Sequence, residues 1–427
     1  MRRWSFITAA GALLLALTLL NLHVPVNGQE PHLIRNEGLE YPEQTRVDLS
    51  MVYDVDIFGG SADTLIVYRS LPCDISITDN SKEKVLQHVT SVSVSPGIPE
   101  ELPDQNDVKN QFFKWEFRDQ KDDLHLTCNI SITSNVHEWK MDKDDVDTID
   151  NMPLSYRNRY LGDQWPVLME ENPRIISPVT GETGSYRYHP GDPDISALSL
   201  EIIGKETNVL SAVEMIYSWM VDNIRISTDQ ERSGNLENFG PYPRSPGVTL
   251  EYGHGSSVDM SLLMASILRA AGIPAWMVFG TAYNVAKDRV EEGGWLQVPI
   301  PMKDGGPEIV EIALMDHELF FHSPYRYTFW TDTGEIMERD GEQVHNLKFY
   351  IEHHTFKKSP FVQIQVTPSV EVTGYHESGS YIVGGSSGDS FPFVYVALTA
   401  VSVIVVGIVT ILLLVYLMKR KERQAEK

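Results

Sequence analysis

Two adjacent hydroxyls open the stretch "YGHGSSVDMSLLMASILRAAGIPAWMV", residues 252–278. For Ser257 to act as a nucleophile it needs the positive end of a helix and a base to take its proton. The sequence supplies the helix: an apolar run from Ser257 to about Ala271 ends at Gly272-Ile273-Pro274, where a glycine and a proline stop it. The base is an open question. His254 precedes Ser257 by three residues in a turn, His317 adjoins Asp316, and His322 is near in sequence. With one of these as base, Ser257 would serve an amidase or acyltransferase. A structural alternative needs no chemistry: Ser257 or Ser256 caps the helix, and Ser256-x-x-Asp259 is close to a capping box.

Two other stretches invite a metal. "MDKDDVDTID", 141–150, spaces its aspartates like a calcium loop but lacks the sharp-turn glycine and the terminal bidentate glutamate, and it reads as a solvated linker. His353 and His354 in "YIEHHTF" are adjacent on a strand-like run, so their side chains face opposite ways and cannot chelate one ion from one face. No metal or other cofactor is expected.

The elements that must position these residues fall into two grammars. From about 40 to 140, short runs such as "MVYDVDIF", "DTLIVYRS", "VTSVSVS", "QFFKWEFRD" and "LHLTCNISITSNV" alternate apolar and polar positions between Asp, Asn, Gly and Pro. This pattern predicts a strand meander folded as a small β-sandwich. From about 197 the period becomes helical, with Val209, Val213, Ile216, Tyr217 and Met220 on one face. "AWMVFGTAY", "GWLQVPIP" and "EIVEIALMD" then read as strands, so the second domain is α+β.

Residues 197–335 resemble the transglutaminase-like superfamily, the papain-like fold group of transglutaminases, related proteases and peptide N-glycanases. The resemblance rests on the order of a Trp219-x-x-x-Asn223-Ile224 phrase, the turn Gly255-Ser256-Ser257-Val258-Asp259, and the contiguous Arg269-Ala270-Ala271-Gly272-Ile273-Pro274-Ala275. Secreted prokaryotic members often carry a β-domain ahead of the core, which suits residues 40–140. The resemblance implies a cysteine nucleophile where Ser257 stands, a histidine where Gly293 stands, and an orienting aspartate at Asp316. Two of the three are gone. What it implies is therefore a catalytically inactive core whose Ser257 is a helix-capping residue. The former substrate cleft, lined by aromatics such as Trp276, Trp295 and Trp330, would hold a peptide, a protein or a cell-envelope polymer. Two alternatives stay open: an active amidase or acyltransferase using Ser257 with a displaced histidine, and a purely structural surface protein.

The 427 residues then divide as follows. Residues 1–28 form a signal peptide, with Arg2 and Arg3 ahead of an apolar stretch. Residues 29–150 form the β-sandwich-like domain, 151–196 a connecting segment, 197–373 the transglutaminase-like domain and 374–390 a Gly/Ser stalk. Residues 391–418 carry no charge and are long enough to span a bilayer, and 419–427 form a basic tail that the positive-inside rule places in the cytoplasm. The expected fold class is thus α+β: an N-terminal all-β sandwich, a papain-like transglutaminase core and a C-terminal transmembrane helix. The formal net charge is −24 although both tails are basic. Such a surface repels nucleic acid, and none is expected as a partner. The only cysteines, Cys73 and Cys128, are expected to bridge outside the cytosol, contributing roughly 4 kcal/mol. Asn129-Ile130-Ser131 fits the N-glycosylation pattern. This layout predicts a single-pass type I protein with residues 29–390 outside. Protease applied to intact cells should digest the body and spare the tail, and protection of the whole chain would refute the topology.

Overall fold

The computed structural model describes residues 38–79, 82–96, 100–101, 110–161, 188–228, 230–231, 243–332, 336–339, 342–345, 354–358 and 363–383. The expected signal peptide, the apolar span 391–418, the basic tail and His353 lie outside these residues. Among the described residues no helix is long and apolar enough to cross a membrane. Contacts divide the chain into two units, one of Met1–Asn36 with Glu40–Tyr381, the other of Glu37–Leu39 with Ile382–Lys427. Everything below concerns the first.

The alternating runs form strands β1 (Gln44–Phe58), β2 (Ala62–Leu71), β3 (Ile75–Asp79), β4 (Lys82–Ser95), β5 (Gln111–Gln120) and β6 (Leu124–Asn135), followed by the short β7 (His137–Glu138). On β1 every second side chain from Val47 to Ile57 is buried, the period a half-covered strand requires. Residues 141–150 are largely solvated and ordered. Two 3-10 turns order them: the Asp142 carboxylate caps one, and Asp147 accepts from Thr148 N–H and Asn151 Nδ2. Those hydrogen bonds, Asn151's first, hold the Asp147 carboxyl below its usual range.

Helices follow: α1 (Leu154–Tyr160), α2 (Pro193–Ile203), α3 (Val209–Asn223), α4 (Pro246–Tyr252) and α5 (Ser257–Ala270). Asp192, Asn208 and Ser245 cap α2, α3 and α4, and proline occupies the first turn of α2 and α4, where its missing N–H costs nothing. A two-residue parallel pair, β8 (Arg225–Ile226) with β9 (His254–Gly255), joins the end of α3 to the start of α5. Then come β10 (Trp276–Asn284), β11 (Arg289–Ile300), β12 (Glu308–Ala313), β13 (Glu318–Leu319), β14 (Phe321–His322) and β15 (Arg326–Thr331). They build a sheet in the order β13–β12–β11–β10–β15, while β14 pairs with β7. Helix α5, buried without break from Asp259 to Arg269, lies between β11 and the helices α2, α3 and α4.

The chain closes back on its beginning. Strand β16 (His354–Lys358) pairs with β2, and β17 (Gln363–Ser378) pairs with β1 along its whole length. The sandwich sheets run β17–β1–β6–β4–β3 and β16–β2–β5, the latter edged by Glu100–Glu101. Two expected boundaries move as a result. The C-terminal part of 197–373 belongs to the sandwich, and the first residues of the expected stalk, 374–378, are paired strand rather than flexible chain. Their spacing explains it, since Tyr375 and Glu377 stand opposite Val47 and Thr45.

The sandwich packs directly against the core sheet. Val47, Leu49 and Met51 pack with Tyr283, Tyr327 and Phe329, while Tyr53, Val55 and Ile57 pack with Leu65, Val67 and Trp115 of the second sheet. The outer edge of β15 is closed by side chains. Gln87 donates to Thr328 O and accepts from Thr328 N–H, and Asn110 does the same at Thr331.

Cys73 and Cys128 form no disulfide, contrary to the sequence expectation. Both are buried, but the Cys73 carbonyl is tied to Gln87, which stands opposite Ser134 on β6. Cys128 lies six residues along the same strand, on the order of 20 Å at the usual strand rise, where a bridge needs Cα atoms within about 7 Å. Asn129, the expected glycosylation acceptor, is exposed on β6. Two thiols should therefore titrate in unfolded protein that has never met a reductant, and reductant should leave the unfolding midpoint unchanged. A titre of zero thiols would restore the bridge.

Candidate functional site

The start of α5 is held by reciprocal hydrogen bonds. Ser256 is the N-cap: its Oγ accepts from Asp259 N–H at 3.2 Å, and Asp259 Oδ2 accepts from Ser256 N–H at 2.8 Å. The capping box expected from the sequence is present, but the cap is Ser256. Ser257 occupies the first helical position, with the different task of bracing the helix against the sheet. Its Oγ accepts the N–H of Gly294 at 3.3 Å, while Ser261 Oγ donates to Gly294 O at 3.1 Å. Two serines on α5 thus bind both backbone groups of one glycine on β11.

Gly293 and Ser257 meet. A Cβ placed on Gly293 would stand 3.7 Å from Ser257 Oγ, ordinary contact distance, and both residues are half-buried. Asp316 lies in the turn after β12, where burial raises its carboxyl against the charges of Arg326 and His317. Beyond it is a buried charge cluster that no local pattern of residues foretells. Arg326 bonds both Glu318 and Glu311, and His322 Nδ1 lies 2.8 Å from Glu311. Burial raises Glu311, but His322 and Arg326 outweigh it and hold it at about 2, whereas burial pushes Glu318 up to about 7 despite Arg326. His322 Nε2 reaches Ser134 of the sandwich, so His322 is committed to this cluster.

His254 is committed as well, on β9. Its Nδ1 lies 3.0 Å from Ser227 Oγ and its Nε2 3.4 Å from Glu231 Oε1. Burial first, then the nearby Arg244 cation, lowers its pKa. His317 sits at positive φ in the turn that contains Asp316. Each of these histidines was a candidate base for Ser257, and the described contacts of His254 and His322 run elsewhere.

The three tryptophans expected to line a cleft are core residues, with Trp276, Trp295 and Trp330 at most 4 % exposed. Trp276 stacks on Tyr160 at 4.4 Å and donates to Gln297 Oε1, and Trp330 belongs to the main core. Trp295 packs with Val278 and Ala313 under the Arg326 guanidinium. The exposed apolar groups beside Ser257 in sequence and pairing are instead Ile226 on β8 and Tyr252, which ends α4. A cavity of about 270 Å³ lies at the sandwich, lined by Phe58, Gln363, Ile364 and Gln365.

Residues 196–306 match the family model described as the transglutaminase-like superfamily. An uncharacterized protein of Haemophilus influenzae is 32% identical over 87 residues, which are 20% of this chain and 22% of that protein. The match thus spans about a fifth of that relative's length. Among solved structures, a candidate cysteine protease from Cytophaga hutchinsonii aligns over 83% of this chain and 96% of its own, at 12% identity and a TM-score of 0.42. A candidate protease from Parabacteroides distasonis aligns over 60% of this chain and 47% of its own, at 11% identity and a TM-score of 0.23.

Gly280 and Gly293 are paired across β10 and β11 yet differ in room. A Cβ on Gly280 would stand 2.0 Å from Tyr327 O and 2.8 Å from the Trp295 ring. Gly280→Ala should therefore cost about 3 kcal/mol or more, and Gly293→Ala less than about 0.5 kcal/mol. Urea unfolding of the two variants checks the contrast.

Proposed function

With residues 196–306 a transglutaminase-like domain, we propose that this is a membrane-anchored, extracytoplasmic protein that binds a peptide or cell-envelope polymer. In this reading the inherited nucleophile position does no covalent chemistry. The observation that carries it is the pairing of Ser257 with Gly293. The family's chemistry needs a thiolate at a helix start and an imidazole beside it. Here a hydroxyl faces a residue without a side chain, and that hydroxyl accepts a backbone N–H instead. A serine without a base is a weak nucleophile, and general-base help alone is worth about 10²–10⁴-fold. Active chemistry at Ser257 with a displaced histidine is disfavoured by the engagement of His254 with Ser227 and Glu231.

The ligand's contacts fall to the exposed Ile226 and Tyr252 and to the half-buried surface at Ser257 and Gly293. An exposed aromatic over a guanidinium, as Tyr252 stands over Arg244 at 5.2 Å, offers a flat face to a sugar ring or peptide. Signal peptide, transmembrane span and glycan at Asn129 belong to the same proposal. They would hold this surface outside the cell, anchored from its C-terminal end.

Restoring the lost pair tests the reading. Ser257→Cys combined with Gly293→His should create a thiol that iodoacetamide alkylates at neutral pH at least 10-fold faster than the Ser257→Cys single variant. A Cβ has room at Gly293, 3.7 Å from Ser257 Oγ, and circular dichroism matching the wild type is required of both variants. Equal rates in the two folded variants would mean that Gly293 does not occupy the histidine position. Turnover of peptide amides by the wild type that Ser257→Ala abolishes would overturn the inactive reading itself.

A further inference from the structure

The contacts that remove His254 from Ser257 assemble something else. We propose that Ser227, His254 and Glu231 form a second hydroxyl–imidazole–carboxylate relay beside the lost one, able to accept the acyl group of a small ester or amide. Ser227 Oγ lies 3.0 Å from His254 Nδ1, within proton-transfer reach. On the far side of the ring, Glu231 Oε1 lies 3.4 Å from Nε2. A carboxylate there favours the tautomer with its proton on Nε2, which leaves the Nδ1 lone pair facing the hydroxyl.

The carboxylate is itself fixed. Arg225 binds it bidentately, Nη1 to Oε2 at 2.8 Å and Nη2 to Oε1 at 2.5 Å, and Thr228 donates its N–H and hydroxyl to Oε2 at 2.8 and 2.9 Å. Those bonds, led by Arg225's, hold Glu231 ionised far below the usual carboxylate range. The parallel pair β8–β9 sets the register, with Arg225 opposite His254 and Ser227 N–H donating to Gly255 O at 2.8 Å. His254 is neutral near pH 7, because burial and Arg244 both lower its pKa.

A donor for developing negative charge is also at hand. The Arg244 guanidinium is 1 % exposed, and its Nη2 lies 3.5 Å from Ser227 Oγ while donating to the His254 carbonyl. Its Nη1 is buried with no hydrogen-bond partner among the described residues. An unsatisfied buried N–H of a cation is costly, and an oxyanion would satisfy it. Ser227 is only 2 % exposed, but the His254 side chain is 13 % exposed and opens the relay toward the surface beside Tyr252.

The step balances without any further reagent. Ser227 Oγ forms a bond to the acyl carbon as its proton passes to His254 Nδ1, and the carbonyl π pair moves onto oxygen near Arg244. Collapse breaks the bond to the leaving alcohol or amine, which takes the proton from Nδ1. Water then releases the acid by the same route. The inference is independent of the reading of Ser257, since it uses none of that residue's contacts.

The test treats the intact protein with a fluorophosphonate probe and maps the adduct by peptide mass spectrometry. The adduct is expected on Ser227, with a labelling rate that rises with pH through a midpoint below about 6.5 as His254 loses its proton. His254→Ala should slow labelling by about 10²-fold or more, in a variant whose circular dichroism matches the wild type. No adduct on folded wild-type protein overturns the relay and leaves the binding proposal standing. An adduct on Ser257 overturns the inactive reading of that residue, and one on Ser257 with none on Ser227 overturns the relay as well.

Discussion

A sheet edge with no strand beside it exposes backbone groups that must find partners, and β15 is such an edge. Here the partners are two amide side chains. Gln87 and Asn110 each meet one residue of β15 as a neighbouring strand would, one acceptor and one donor apiece. Removing either would leave a buried N–H and carbonyl unmatched, at about 1–3 kcal/mol per group. Because these amides come from the sandwich, the helical core cannot present a finished surface alone. The shared interior of β1 and the buried Arg326 cluster, which reaches Ser134, repeat the dependence in apolar and ionic form. The N-terminal sandwich is thus part of the same folding unit as the α5–β11 junction.

That junction separates the needs of folding from those of catalysis. Ser256 and Asp259 satisfy the helix end, and Ser257 and Ser261 fix Gly294, so the local geometry persists with no thiol and no imidazole. As an acceptor of a strand N–H, Ser257 contributes to stability, a role that a nucleophile turned toward a substrate would fill poorly.

Much of this was legible in the sequence, for identifiable reasons. Strands β1 and β6 follow a strict two-residue period, and the five apolar positions read on α3 are all buried because a 3.6-residue period has one inner face. The capping box was visible because its partners are three residues apart. Contacts between distant residues left no such trace. Nothing local marks Gln87 as the partner of Thr328, or Glu231 and Ser227 as the company of His254. The tryptophans misled because aromatic residues suit both clefts and cores, and only packing decides. The cysteines misled because sharing a domain does not bring two strand positions within bonding distance.

The pairing of β17 with β1 also sets an order of events. Thr373 bonds Asp48 across 325 residues, so most of the chain must exist before the first long strand can complete its sheet. Until then β1 carries a bare edge for the whole period of synthesis. Contacts that distant are slow to form, since loop closure precedes any gain from pairing. A chain interrupted before residue 363 would therefore leave β1 with an uncovered edge, and that edge would seek a strand from another copy.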